Sequence, residues 1–124
     1  MLASEKILGF VPITDAARAK SFYAEKLGLK FVSEDSFAVV FDANGIMLRL
    51  TRVQELTPQP FTILGWQVSD IVATVKRLHE AGVTFERYGG FMQQDELGIW
   101  DAPGGTRVAW FKDPDGNTLS VSQH

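Results

Sequence analysis

Two histidines, His79 and His124, and no cysteine in 124 residues bound the chemistry this chain can attempt. Without thiols there is no disulfide, no thiolate nucleophile and no zinc site built on sulfur. Two histidines also exclude a His-rich metal site. His79 falls on the side of a helical stretch away from Ile71, Val75 and Leu78, so it reads as a solvated residue. His124, the last residue, reads as frayed. A Ser-His-Asp arrangement then has no base. Asp113-x-Asp115-x-Asn117 has the opening of a calcium loop. An EF-hand needs Gly at its sixth position and Glu at its twelfth, where this chain has Thr118 and His124. The segment reads instead as a hairpin turn with Gly116 at positive φ. Asp95 and Glu96 are adjacent in a polar loop over residues 93–98 and could pair as acid and base, although neighbouring loop carboxylates are far more often only solvated. Gly104-Gly105 leads into a strand rather than a helix, so there is no phosphate-cradling fingerprint.

Composition narrows the partners. Lys+Arg is 12 against Asp+Glu 15, a formal net charge of -3, which argues against a nucleic-acid partner. Hydrophobic residues at 45% and charged residues at 22% describe a folding globule. The length allows one domain over residues 1–124, built from two small halves sharing a core. Residues 1–6 lack the basic-then-apolar profile of a signal peptide, and no apolar run nears the roughly 18 residues that span a bilayer. No membrane partner and a cytoplasmic location are therefore expected.

The elements that must position any site follow from an internal repeat. Val11-Pro12-Ile13-Thr14-Asp15 and Trp66-Gln67-Val68-Ser69-Asp70 are apolar strands ending in a hydroxyl residue and an Asp. Each leads into a helix capped by Thr14 or Asp15, and by Ser69 or Asp70. Ala19, Phe22, Tyr23 and Leu27 share one face of the first helix, and Ile71, Val72, Val75 and Leu78 one face of the second. Gly28 and Gly82 stand where a left-handed residue would end each helix. Residues 37–41 and 46–50 read as a hairpin around Asn44-Gly45. In the second half, residues 85–92, 98–101, 107–111 and 118–121 are strand candidates, with turns at Pro103-Gly104-Gly105 and at residues 113–117. Residues 55–59 read as a linker. The fold class is α+β: two tandem βαβββ modules, about residues 6–54 and 61–123, forming a curved eight-stranded sheet around a cleft with the helices outside.

The ordered set resembles the vicinal oxygen chelate superfamily, also called the glyoxalase/bleomycin resistance/dioxygenase fold. The resemblance is carried by residues 11–15 leading to Ser21-Phe22-Tyr23 and Leu27-Gly28-Leu29, by Val68-Ser69-Asp70 leading to Ala81-Gly82-Val83, and by Asp113-Pro114-Asp115-Gly116-Asn117 between the last two strands. It covers the chain from about Lys6 to Gln123. Metal-dependent members hold one divalent ion with His, Gln or Glu from the first and last strands of each module. The positions implied here are Leu8, Arg49, Ile63 and Ser120. Two are hydrocarbons, one is a permanent cation and one a neutral hydroxyl, whereas divalent ions need several anionic or imidazole donors. Neither a metal nor another cofactor is expected, and no catalytic residue is assigned.

With those four positions turned into the cleft, strand alternation brings Phe10 and Pro12 in with Leu8, Gly65 and Gln67 with Ile63, Met47 and Thr51 with Arg49, and Thr118 and Ser122 with Ser120. Such a lining suits an apolar or aromatic ligand with an anionic or carbonyl group, oriented by Arg49. The ligand-binding set is Leu8, Phe10, Arg49, Ile63, Gln67, Trp100 and Ser120. Arg49 has a structural alternative, an ion pair with a carboxylate such as Asp101. Phe91, Met92, Trp100 and Trp110 border the cleft in relatives and could stack on a flat ligand. Trp110, between Ala109 and Phe111, is expected mainly as core, and Trp66 under the helices. The resemblance implies a homodimer that binds a small molecule without breaking a bond. A lyase, isomerase or dioxygenase with a relocated metal or acid/base site, drawing on Asp95, Glu96 or Asp101, is the alternative.

Overall fold

Helix starts are set by two aspartates. In the computed structural model, which describes residues 1–90 and 92–124, Asp15 accepts a hydrogen bond from the Arg18 N–H at 3.1 Å and Asp70 one from the Ala73 N–H at 3.1 Å. Each carboxylate satisfies a backbone donor that the first turn leaves without a partner. Gly28 and Gly82 follow the helices at φ 74° and 100°, a left-handed conformation that side chains with a Cβ resist.

The chain divides into two compact units, Met1–Thr57 and Pro58–His124. The first carries β1 (Leu8–Ile13), α1 (Ala16–Ser21), β2 (Lys30–Glu34), β3 (Ala38–Ala43) and β4 (Ile46–Arg52). After α1 the helix widens into a π-type turn over Phe22–Lys26. The sheet order is β1-β4-β3-β2, with β1 parallel to β4 and the other pairs antiparallel. Alternation divides β1 sharply: Val11 and Ile13 are fully buried, whereas Leu8 and Phe10 are exposed. The buried face of this unit gathers Val39, Phe41, Leu48 and Leu50 with Ala19 and Tyr23. The Tyr23 and Phe41 rings lie 6.1 Å apart. Each such large side chain contributes about 1.5–3 kcal/mol by leaving water.

The second unit repeats the scheme with β5 (Thr62–Gln67), α2 (Ile71–Glu80), β6 (Trp100–Asp101), β7 (Arg107–Lys112) and β8 (Thr118–Gln123), in the order β5-β8-β7-β6. Its core contains Ile71, Val75, Ala109, Phe111, Leu119 and Val121. Trp66 is in register with Val121, on the core face as expected. Both units are therefore βαβββ modules, and the eight strands form two four-stranded sheets. Among the described residues no helix is long and apolar enough to cross a membrane.

Two expectations need correction. The strand expected over 85–92 is not present among its described residues: Phe85 makes a single bridge to Phe111, and no regular strand is present over 86–90 and 92. Gly89 and Gly90 sit at φ 67° and 66°, outside strand geometry. Side chains take over the ladder's role here, with Arg87 donating to the carbonyls of Asp95 and Glu96. The strand expected over 98–101 is limited to Trp100–Asp101, because Gly98 adopts φ 91°.

Candidate functional site

In the first unit, register places Leu8 beside Met47, Phe10 beside Arg49 and Pro12 beside Thr51. Antiparallel pairing extends these rows to Asp42, Val40 and Ala38 on β3. All lie on the sheet face opposite Val11 and Ile13. Phe10 is 60% exposed and Leu8 48%, so this face presents hydrocarbon to its surroundings. A groove of about 240 Å³ lies along it, lined by Lys6, Leu8, Val32, Val40, Asp42 and Met47.

Arg49 stands half-buried in this apolar surface. Among the described residues its guanidinium makes no ion pair within 4.0 Å, unlike Arg52, which pairs with Glu34, and Arg107, which pairs with Asp101. Asp101, the carboxylate considered as its structural partner, is bound by Arg107 at 2.8 Å. The carboxylate whose titration Arg49 does affect is Asp35. Its carboxyl is held below the ordinary range first by the N–H groups of Phe37 and Ala38, and also by the charges of Arg49 and Arg52. Asp35 Oδ1 is engaged by those two N–H groups at 2.8 and 2.9 Å.

The second unit's corresponding face reads as rows across β5, β8 and β7. Thr62, Thr118 and Lys112 form one row; Gly65, Ser120 and Trp110 the next; Gln67, Ser122 and Val108 the third, extended to Trp100 on β6. Ser120 is buried and Gln67 exposed. Ile63 lies at a bulge where register shifts between Thr62 and Leu64, so Thr62 and not Ile63 is matched to Thr118. The strict alternation expected around Ile63 is therefore interrupted. Gly65 matters by its size: a Cβ there would come within 2.7 Å of Ser120 Oγ.

Trp110 is the main correction. Its neighbours Ala109 and Phe111 are buried in the core, so Trp110 must point to the opposite face, where Ser120 lies in register with it. Its indole Nε1–H donates to Thr62 Oγ1 at 3.1 Å. Trp100 joins it with ring centroids 6.0 Å apart and planes at 33°. Tyr88, which sequence reasoning missed, packs on Trp110 at 5.5 Å and 82°. The only sequence signal for Tyr88 was an aromatic residue just before Gly89-Gly90. The expected role of Phe91 lies outside the described residues, and Met92 is half-buried in the loop that follows. His124 is exposed, with its Nε2 3.1 Å from Ser122 Oγ. His79 is exposed on α2, as expected.

The positions that the family resemblance implies for metal ligands are Leu8 and Arg49 in the first unit, and Ile63 and Ser120 in the second. Hydrocarbon side chains have no lone pairs, and a guanidinium repels cations, so this donor set does not fit a metal ion. Among the described residues no group of three or more His, Asp or Glu side chains is placed to hold one. The carboxylates of a relocated site are engaged in part: Asp95 Oδ1 accepts from the N–H groups of Leu97 and Ile99, both at 2.9 Å, and Asp101 pairs with Arg107.

A family model described as the Glyoxalase/Bleomycin resistance protein/Dioxygenase superfamily matches residues 7–121. No curated protein gives a match. Among solved structures, TnmS3, an antibiotic binding protein from Streptomyces sp. CB03234, is 27% identical with a TM-score of 0.73, covering 99% of this chain and 98% of that one. A lactoylglutathione lyase from Agrobacterium tumefaciens is 19% identical with a TM-score of 0.72, covering 96% and 93%. A superfamily member from Sphaerobacter thermophilus is 23% identical with a TM-score of 0.73 and full coverage of both chains at 100%.

Proposed function

The chain belongs to the glyoxalase/bleomycin resistance protein/dioxygenase superfamily, and from that membership we propose that it is a metal-independent binding protein for a small molecule. The ligand is apolar or aromatic and carries an anionic or carbonyl group. The observation that carries this reading is Arg49. Arg49 is half-buried, in register with Phe10 and Val40, and with no carboxylate within ion-pair distance among the described residues it is complementary to an anion from outside. Leu8 and Phe10 beside it supply apolar contact. In the second unit Trp100 offers a ring to a flat ligand, Ile63 hydrocarbon, and Gln67 and Ser120 polar atoms. The antibiotic binding protein at 27% identity supports sequestration over turnover. No residue is proposed as catalytic and no step is routed through a metal, a reading supported by the hydrocarbon and cationic side chains at the positions that the family resemblance implies for metal ligands. The proposal includes a homodimer in the cytoplasm, the setting that the family resemblance and the composition imply.

The test is metal analysis of protein purified without chelator, together with a titration of naphthoate followed by tryptophan fluorescence. Saturable naphthoate binding that is unchanged by a chelator, on protein lacking stoichiometric metal, is expected. A stoichiometric divalent ion whose removal abolishes binding overturns the reading.

A further inference from the structure

The polar loop over residues 93–98, which composition alone marks as solvated, contains a side chain that organises the aromatic cluster. Gln94 is half-buried, and its amide is engaged at both ends. Oε1 accepts from the Tyr88 N–H at 2.8 Å. Nε2 donates to the carbonyls of Glu86 at 2.9 Å and Gly98 at 2.8 Å. The Gln94 backbone also forms an antiparallel bridge with Trp100. The Glu86 N–H in turn donates to the Trp110 carbonyl at 2.8 Å. One residue therefore ties together the segments bearing all three rings.

The product of this clamp is a tyrosine placed against Trp110 yet 47% exposed. Tyr88 thus has ring surface available beyond its contact with Trp110. Its hydroxyl is kept protonated beyond the usual tyrosine range by partial burial and then by the Glu86 carboxylate, so at neutral pH it is a donor. T-shaped aromatic contacts also leave ring surface open to a further flat partner.

We propose that Tyr88 and Gln94 belong to the ligand site of the second unit: Tyr88 contacts a flat aromatic ligand and donates a hydrogen bond to an acidic or carbonyl oxygen on its rim, and Gln94 is the positioning residue that fixes Tyr88 and Trp100 around Trp110. This rests on the binding function above and adds a loop to the residues proposed to contact the ligand.

The experiment uses the full chain, with naphthoate and naphthalene as probes and tryptophan fluorescence as readout. Tyr88→Ala raises the Kd of both probes about fivefold, the scale of one lost aromatic contact. Tyr88→Phe keeps the ring, so it raises the Kd of naphthoate about fivefold and leaves naphthalene unchanged. Gln94→Ala weakens both probes, and adding Tyr88→Ala to it causes no further loss, the non-additivity of residues acting as a unit. The Tyr88→Phe result stands independently should Gln94→Ala unfold the loop. Wild-type affinity for both probes in Tyr88→Ala overturns this proposal and leaves the binding function intact. Unchanged naphthoate affinity in Tyr88→Phe overturns the donor role. No saturable binding of either probe by the wild-type chain overturns both.

Discussion

Replacing Arg49 by Met separates a ligand clamp from a structural cation. Met matches the aliphatic stem of Arg without the guanidinium, so the apolar contacts open to that stem are largely kept. No ion pair is broken, since none lies within 4.0 Å of Arg49 among the described residues. Stability should then change by no more than about 0.5 kcal/mol. A charge-assisted hydrogen bond contributes about 1.5–3 kcal/mol. Partial exposure screens it to roughly 1–2 kcal/mol, or about five- to thirtyfold in Kd. Calorimetric titration with naphthoate should show that loss, while the neutral naphthalenemethanol binds both proteins equally. Denaturant unfolding supplies the stability measurement. The Asp35 carboxyl should also move up towards its ordinary value, because one of the charges lowering it is gone; side-chain carbon NMR reads this directly. A stability loss of several kcal/mol, or equal naphthoate affinity in both proteins, would refute the reasoning.

Three further outcomes follow from described contacts. Asp113 is buried and accepts from the N–H groups of Asp115 and Asn117 and from the Asn117 side-chain amide, at 3.0, 2.9 and 2.9 Å; Asp113→Ala should cost about 2–4 kcal/mol by orphaning these donors, measured as a lower denaturant midpoint. Gly82→Ala, at φ 100°, should destabilise by about 1 kcal/mol or more, whereas the same change at an ordinary φ would not, and thermal unfolding distinguishes these. Tyr88 ionises at higher pH in the folded chain than in the unfolded one. On raising the pH past about 10 the unfolded chain loses its proton first. The contribution is thus full below that value and lost as pH climbs through the folded one. Tyr88→Phe should flatten this alkaline limb in denaturant titrations.

What the sequence made legible was whatever period and capping encode. Leu8 and Phe10 alternate with Val11 and Ile13, so the two faces of β1 follow from spacing alone. Asp15, Asp70, Gly28 and Gly82 mark helix ends by backbone chemistry that needs no tertiary context. Trp110 defeated the same logic because Ala109, Trp110 and Phe111 are all apolar; the burial of its two neighbours and its register with Ser120 assign its face. Ile63 was displaced by a bulge, which adds a residue without a sequence signature of its own. Residues 85–88 include strand-forming side chains, yet Gly89 and Gly90 at positive φ and the Gln94 amide bonded to the Glu86 carbonyl take the place of strand pairing there. Tyr88 escaped notice because its position depends on hydrogen bonds from a loop six residues away.

The bulge at Val32 has a consequence for how this chain behaves when concentrated. β2 is an edge strand whose residues are all exposed, and Phe31 and Val32 would make it an inviting template for a neighbouring molecule. The register slip between Phe31 and Ser33 breaks the even spacing that an incoming strand must match. Lys30 and Glu34 place a charge at each end of the exposed segment. Crowding alone should therefore not zip these molecules into ribbons along β2, and removing the extra residue would lift that guard.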